Sequence, residues 1–169
     1  VWGDTIIPPD AFGRLAAGAY VLRPFINRLL DDVEWTMDEA RVERRLQIQE
    51  VLALDIFPVN TANLLRRLGA DGSVRPVKRF VAGSREARRV LQRFVEERLD
   101  GYDSGRNRAE MAATSELSPY LHFGHIGPHA IAREVRASNA PEADKAAFLE
   151  QLLVRRELSR NHAYVNPDY

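Results

Sequence analysis

The chain contains no cysteine, which removes disulfides, thiolate metal sites and cysteine nucleophiles and fits a reducing interior. Lysine is nearly missing too: of 24 basic residues only Lys78 and Lys145 are lysine, and the rest are arginine. Arginine's planar fork suits phosphate recognition, but a GC-rich coding bias explains the same usage. No apolar run approaches ~20 residues, so a membrane span is not expected. The first residues, Val1-Trp2-Gly3-Asp4, lack the charged start and apolar stretch of a signal peptide, which points to a cytoplasmic location. Neither sign of charge is in excess, since 24 acids balance the bases over 169 residues. Bulk electrostatic attraction to nucleic acid is therefore not expected. What remains is a chain that is 45% hydrophobic and 28% charged, enough for a core and unlike a disordered tail. Val1 at one end and Tyr169 inside Asn166-Pro167-Asp168-Tyr169 at the other are the ends expected of an excerpt.

The pattern is helical after a short extended opening. Thr5-Ile6-Ile7 before Pro8-Pro9 reads as a strand with a hard stop. A helical candidate over Ala19–Leu30 is expected to break early at Arg23-Pro24. Thr36-Met37-Asp38-Glu39 has the form of a capping box, opening a helix over 37–53. Asn60-Thr61 caps a short helix through Leu68, ended by Gly69. Residues 69–83, punctuated by glycine and proline, form the most plausible boundary. Ser84 then caps a helix with Ala87, Val90, Leu91, Phe94 and Val95 on its core face, stopped by Gly101. Residues 102–113 read as a polar loop. Ser118-Pro119 and Gly127-Pro128 each open a helix with proline at its first position, and a last long helix runs from about Glu142 to His162.

Two constellations carry chemistry. Thr114, Ser115 and Ser118 cluster hydroxyls ahead of the helix that Pro119 begins, where unpaired amides favour an anion such as a diphosphate. The plainer alternative is that Ser118 only caps its own helix. On the last helix, Phe148, Gln151, Arg155, Ser159 and His162 recur at intervals of three and four, a plausible wall for a planar, phosphate-bearing ligand. An ordinary amphipathic helix with a solvated Arg155-Arg156-Glu157 cluster explains that spacing equally well. His122, His125 and His129 have ligand-like spacing, but Gly124, Gly127 and Pro128 interrupt the single helix a metal site would need. No metal is expected.

The block Leu99-Asp100-Gly101-Tyr102 through Arg106-Asn107-Arg108, followed by Thr114-Ser115-Glu116-Leu117-Ser118-Pro119-Tyr120-Leu121-His122-Phe123-Gly124, resembles the flavin-binding entry of the photolyase/cryptochrome family. Phe148-Leu149-Glu150-Gln151-Leu152-Leu153-Val154-Arg155-Arg156-Glu157-Leu158 and Asn166-Pro167-Asp168-Tyr169 look like class II cyclobutane pyrimidine dimer photolyases in particular.

The resemblance implies a mainly α fold: the first part of a helical FAD-binding domain, truncated, over 77–169. Residues 1–76 would supply the end of an α/β antenna-type domain and a long helical connection. FAD is the implied cofactor, contacted by Tyr102, by Thr114, Ser115, Glu116, Leu117 and Ser118, and by Phe148, Gln151 and Arg155. Arg106, Arg155 and Arg156 match DNA-contacting positions. An antenna chromophore would belong to the domain that this chain lacks.

The implied partner is UV-damaged DNA whose pyrimidine dimer is flipped from the duplex. In the implied reaction, light-excited reduced FAD lends an electron that splits the dimer and then returns. Gln151 is the implied lesion contact, where family members often carry a glutamate; a glutamine donates through its amide but cannot take up a proton as a carboxylate does. The full-length protein would be a cytoplasmic, bacterial-type monomer working on the nucleoid, and the fragment alone is expected to be inactive. A cryptochrome-like photoreceptor and a non-catalytic helical remnant acting as an interaction module are the alternative readings.

Overall fold

A computed structural model describes residues 6–8, 10–33, 35, 61–75, 77–166 and 168. Two compact units emerge: residues 1–36 together with 82–169, and residues 37–81. The second unit contains helix α2 (Thr61–Arg67). It ends as the sequence predicts. Gly69 takes a left-handed φ of 64°, its amide donates to the Arg66 carbonyl and the Ala70 amide reaches back to Leu65, the paired bonds of a Schellman stop. The expected capping box and the 37–53 helix lie outside the described residues, as does Asn60.

The larger unit is helical, and no strand occurs among its described residues. Its elements are α1 (Ala19–Leu30), α3 (Ser84–Glu97), a single turn α4 (Tyr102–Gly105), a 3-10 turn (Ala109–Met111), α5 (Ser118–His122) and α6 (Pro128–Ala137). The last stretch runs without a break through α7 (Glu142–Leu149), a π-helical segment (Glu150–Arg155) and α8 (Arg156–Val165). The amphipathic core face is clearest on α3, where Ala87, Val90, Leu91 and Phe94 are buried at helical spacing while Val95 is only half-buried. Ile131, Ala132 and Val135 of α6 and Leu152, Leu153 and Val154 of the π segment complete this core. No described helix is long and apolar enough to cross a membrane.

Several local expectations are corrected. Ile6 and Ile7 form a buried bend instead of a strand; no described neighbouring strand offers them a ladder to join. Helix α1 runs through Pro24 to Leu30. Pro24 forfeits one amide bond, whose acceptor would be the carbonyl of Tyr20, a residue 69% exposed. Water can satisfy that carbonyl while buried Leu22 and Ile26 anchor the helix on either side. Gly83, not Ser84, occupies the N-cap of α3, at a φ of 113° that a serine disfavours.

The segment before α1 belongs to this core. Asn161, 4% exposed, accepts the Ala16 amide through Oδ1 and donates through Nδ2 to the Arg14 carbonyl, both at 2.8 Å. One side chain of α8 thus satisfies two backbone groups of the early chain.

Candidate functional site

The residues 102–113, expected to be loop, contain the ordered turn α4. Gly101 adopts a φ of 80° at its cap and offers no side chain. The cap comes from elsewhere: Asp144 of α7, 7% exposed, accepts the Gly101 amide at 3.0 Å and the Asp103 amide at 2.7 Å. A carboxylate on free amides at a helix start is a charge-assisted arrangement. It fixes the turn that carries Tyr102 and Arg106. Tyr102 is buried, and its ring meets Phe148 edge-on at 5.3 Å and Phe94 at 5.8 Å; Phe94 and Phe148 are 4.7 Å apart. Burial raises the Tyr102 phenol above its ordinary pKa of 10.0, with the Arg106 charge opposing.

Gly105 closes this turn against the next segment. A Cβ there would fall 2.8 Å from the Ala113 Cβ, too close for two carbons. Gly105→Ala is expected to destabilise the protein by about 1–3 kcal/mol, read as a lower denaturant midpoint at unchanged slope. A neutral result would show that the two segments separate freely.

The Thr114–Ser118 segment is held by its interior. Leu117, 1% exposed, is driven into the core and takes the cap position of α5, so Ser118 becomes the first helical residue instead of the cap. Ser115 Oγ accepts the Leu117 amide at 3.3 Å. Glu116 has a left-handed φ of 58°, a strained conformation for a residue with a Cβ, and its carboxylate lies 3.6 Å from Arg98. Thr114 and Ser118 are exposed. The Nε atoms of Arg98 and Arg106 are buried without a hydrogen-bond partner among the described residues.

The expected wall on the last helix is divided. Each π turn takes one residue more than an α turn, so the segment Glu150–Arg155 rotates the residues after it by about 100°. Phe148 is 5% exposed in the core, Gln151 is half-buried, and Arg155, Ser159 and His162 face solvent. Ser159 Oγ donates back to the Arg155 carbonyl, and Arg156 pairs with Glu157 at 3.1 Å. Glu150 is engaged by Arg23 at 2.7 Å, so it does not stand in for a carboxylate at position 151. The structure therefore packs Tyr102 on Phe148, ties Arg106 to the Tyr102 turn, and buries Phe148 while Arg155 faces solvent.

The histidines have unlike settings. His122 packs edge-on against Phe123, His125 faces Tyr120, and His129 lies 6.2 Å from Trp35. Burial, helped by the Arg156 charge, lowers the His129 pKa below 6.5. Among the described residues no three potential ligand side chains cluster around a metal position. A cavity of about 20 Å³, room for one water, lies between Ile7, Leu22, Ile26, Glu157 and Asn161. A groove of about 270 Å³ runs along Arg136, Lys145 and Leu149. Neither is lined by a residue expected to hold the cofactor. Asp144 and Asn161 were not expected from the sequence. Their signal was weak: an acid in a helix's first turn and an amide in mid-helix look ordinary until their partners are known.

The helical arrangement is similar to that of a solved photolyase. It superimposes on the crystal structure of a bacterial class III photolyase from Agrobacterium tumefaciens with a TM-score of 0.62, over 98% of this chain and 34% of that one, at 21% identity. At that identity the likeness concerns the fold alone. No family model matches the chain. Curated relatives do, and each bears the name deoxyribodipyrimidine photo-lyase. The Arabidopsis thaliana protein is 33% identical across 94% of this chain and 33% of its own length. That of Methanothermobacter thermautotrophicus is 40% identical over 90 residues, 53% of this chain and 19% of its own. That of Potorous tridactylus is 34% identical over 113 residues, 66% and 21%. The chain belongs to the photolyase/cryptochrome superfamily, and it spans about a fifth to a third of these relatives' length.

Proposed function

We propose that the chain is part of a light-driven repair flavoprotein that splits cyclobutane pyrimidine dimers in UV-damaged DNA, of the class II kind that residues 148–169 resemble. The observation that carries this is the Thr114–Ser118 segment. Its outer hydroxyls, on Thr114 and Ser118, are exposed while Leu117 pins it from within, in a chain that matches photolyases along most of its length. The donor set suits FAD. The Arg98 guanidinium, 3.6 Å from the Glu116 carboxylate of that segment, favours a diphosphate, and Gly105, on the turn that carries Tyr102, packs against Ala113 next to Thr114. When bound, reduced FAD supplies the electron for ring opening under light.

The chain's own residues bind and orient. Thr114, Ser115 and Ser118 take the phosphate and ribitol region, Glu116 and Leu117 contribute backbone, and Gln151 donates its amide to the flipped lesion. Arg106, Arg155 and Arg156 meet DNA phosphates. Residues 77–169 would form the first part of the FAD-binding domain, and 1–76 the end of an α/β domain with its connection. The antenna chromophore belongs outside this chain, and the protein acts in the cytoplasm as a monomer.

The intact protein should retain flavin and remove dimers only under light. Thr114→Ala with Ser118→Ala should lower flavin retention about tenfold, equivalent to the loss of about 1.4 kcal/mol of binding. Gln151→Glu should raise repair per photon absorbed. An intact protein without flavin, or with flavin and no light-dependent repair, would defeat the proposal. Full wild-type activity with no gain in Gln151→Glu would show that the neutral amide suffices.

A further inference from the structure

We propose that Arg23 is a positioning residue for the face of the last helix that carries Gln151 and Arg155, and that it acts through Glu150. Glu150 is the first residue of the π segment. Its carboxylate is gripped from α1 by three contacts: Arg23 Nε donates to both oxygens, at 3.2 and 3.0 Å, and Nη2 donates to Oε1 at 2.7 Å. Two donors on one carboxylate fix its rotation as well as its distance. Within the π segment the register is otherwise held by Leu152, Leu153 and Val154, three consecutive buried residues, and beyond its end Asn161 bonds the Arg14 carbonyl and the Ala16 amide. Apolar burial of that kind is non-directional and does not by itself choose between a π and an α register. Directional contacts do choose, and they stand at the two ends: the Arg23 fork at the segment's first residue and the Asn161 bonds after its last. Relaxing the segment to an α-helix would rotate everything after it by about 100° and draw Glu150 out of the fork or swing Arg155 away. Gln151 comes directly after Glu150, so its direction is set where Glu150 is held.

The pair is 43% and 24% exposed at its two side chains, and such a pair adds little to global stability. Its effect is therefore local. The functional half of this inference rests on the reading of Gln151 and Arg155 proposed above; the register half does not.

The test uses the intact protein with Arg23→Glu, Glu150→Arg and the double charge exchange. Amide hydrogen exchange is followed at residues 153–158 and, for reference, at Val90–Phe94 of α3. Binding of a short duplex carrying one cyclobutane thymine dimer is compared with binding of the undamaged duplex. Each single reversal should speed exchange in the π segment about tenfold, leave α3 unchanged and reduce the preference for the damaged duplex severalfold. The double exchange should restore both. Arg23→Lys keeps the charge but loses the fork, and it should show the same local effect at smaller amplitude even where a reversal folds poorly. Wild-type exchange rates in the single variants would overturn the proposal. So would a speeding spread evenly over the chain that the double exchange fails to repair. If the wild-type protein shows no preference for the dimer, the reading of Gln151 fails, and the exchange rates alone then decide the role of Arg23.

Discussion

Phe94→Ala should lower the unfolding free energy by about 3–5 kcal/mol, the loss typical of a large aromatic deleted from a packed core. Phe94 is fully buried, with 0% exposure, and its ring touches both Phe148 and Tyr102. Three contributions add. The apolar area removed from water is lost, a cavity opens that the rigid helices around it fill only in part, and two aromatic contacts worth about 0.5–1.5 kcal/mol each disappear. Phe94→Leu retains most of the volume and should cost under about 2 kcal/mol. Chemical denaturation monitored by far-UV circular dichroism measures both. A loss below about 1 kcal/mol for the alanine variant, far short of the usual core penalty, would show that α3, α4 and α7 do not share one core. Tyr102 and Phe148 are expected to border the cofactor, so the same substitution should loosen them and raise amide exchange at Tyr102.

Much of this core was legible in the sequence, because helical spacing and burial answer to the same periodicity. Ala87, Val90, Leu91 and Phe94 declared a buried face by their spacing alone, Gly127-Pro128 marked the start of α6, and Gly69 marked a helix end. The mainly helical fold could be read from such signals. What escaped was decided by contacts between segments far apart in the chain. Pro24 reads locally as a break, but the two buried residues around it outweigh one lost amide bond. The turn at Tyr102 reads as loop because its capping group, Asp144, is some forty residues away. The π segment has no periodic signature. An expected stripe from Phe148 to His162 assumes an unbroken α register, and one extra residue per turn moves its second half out of the core and into solvent. Nor does the order of residues in the Thr114–Ser118 run say which of its side chains turns inward, and it is Leu117 that does.

Asp144→Ala should cost about 2–4 kcal/mol. The Asp144 carboxylate accepts two amides at the start of α4, from Gly101 and Asp103, and hydrogen bonds to a charged acceptor are worth roughly 1.5–3 kcal/mol each. The alanine removes both acceptors and leaves the amides to water. Asp103 is exposed and can be rehydrated, so the total should fall below the simple sum. Asp144→Asn separates the contributions. Its carbamoyl oxygen keeps one amide while its NH₂ opposes the other, and the cost should be about half that of the alanine. The decisive measurement is local: exchange at the Gly101 and Asp103 amides should rise in the alanine variant at both positions and in the asparagine variant at one. Gly101 precedes Tyr102, and Arg106 donates its amide back to the Tyr102 carbonyl at 2.9 Å, so a turn released at its first residue carries both side chains with it. Flavin retention and binding of damaged DNA by the intact protein should therefore fall together in Asp144→Ala, although Asp144 is expected to touch neither. Unchanged exchange at Gly101 and Asp103 would show that the turn is held by the packing of Tyr102 alone.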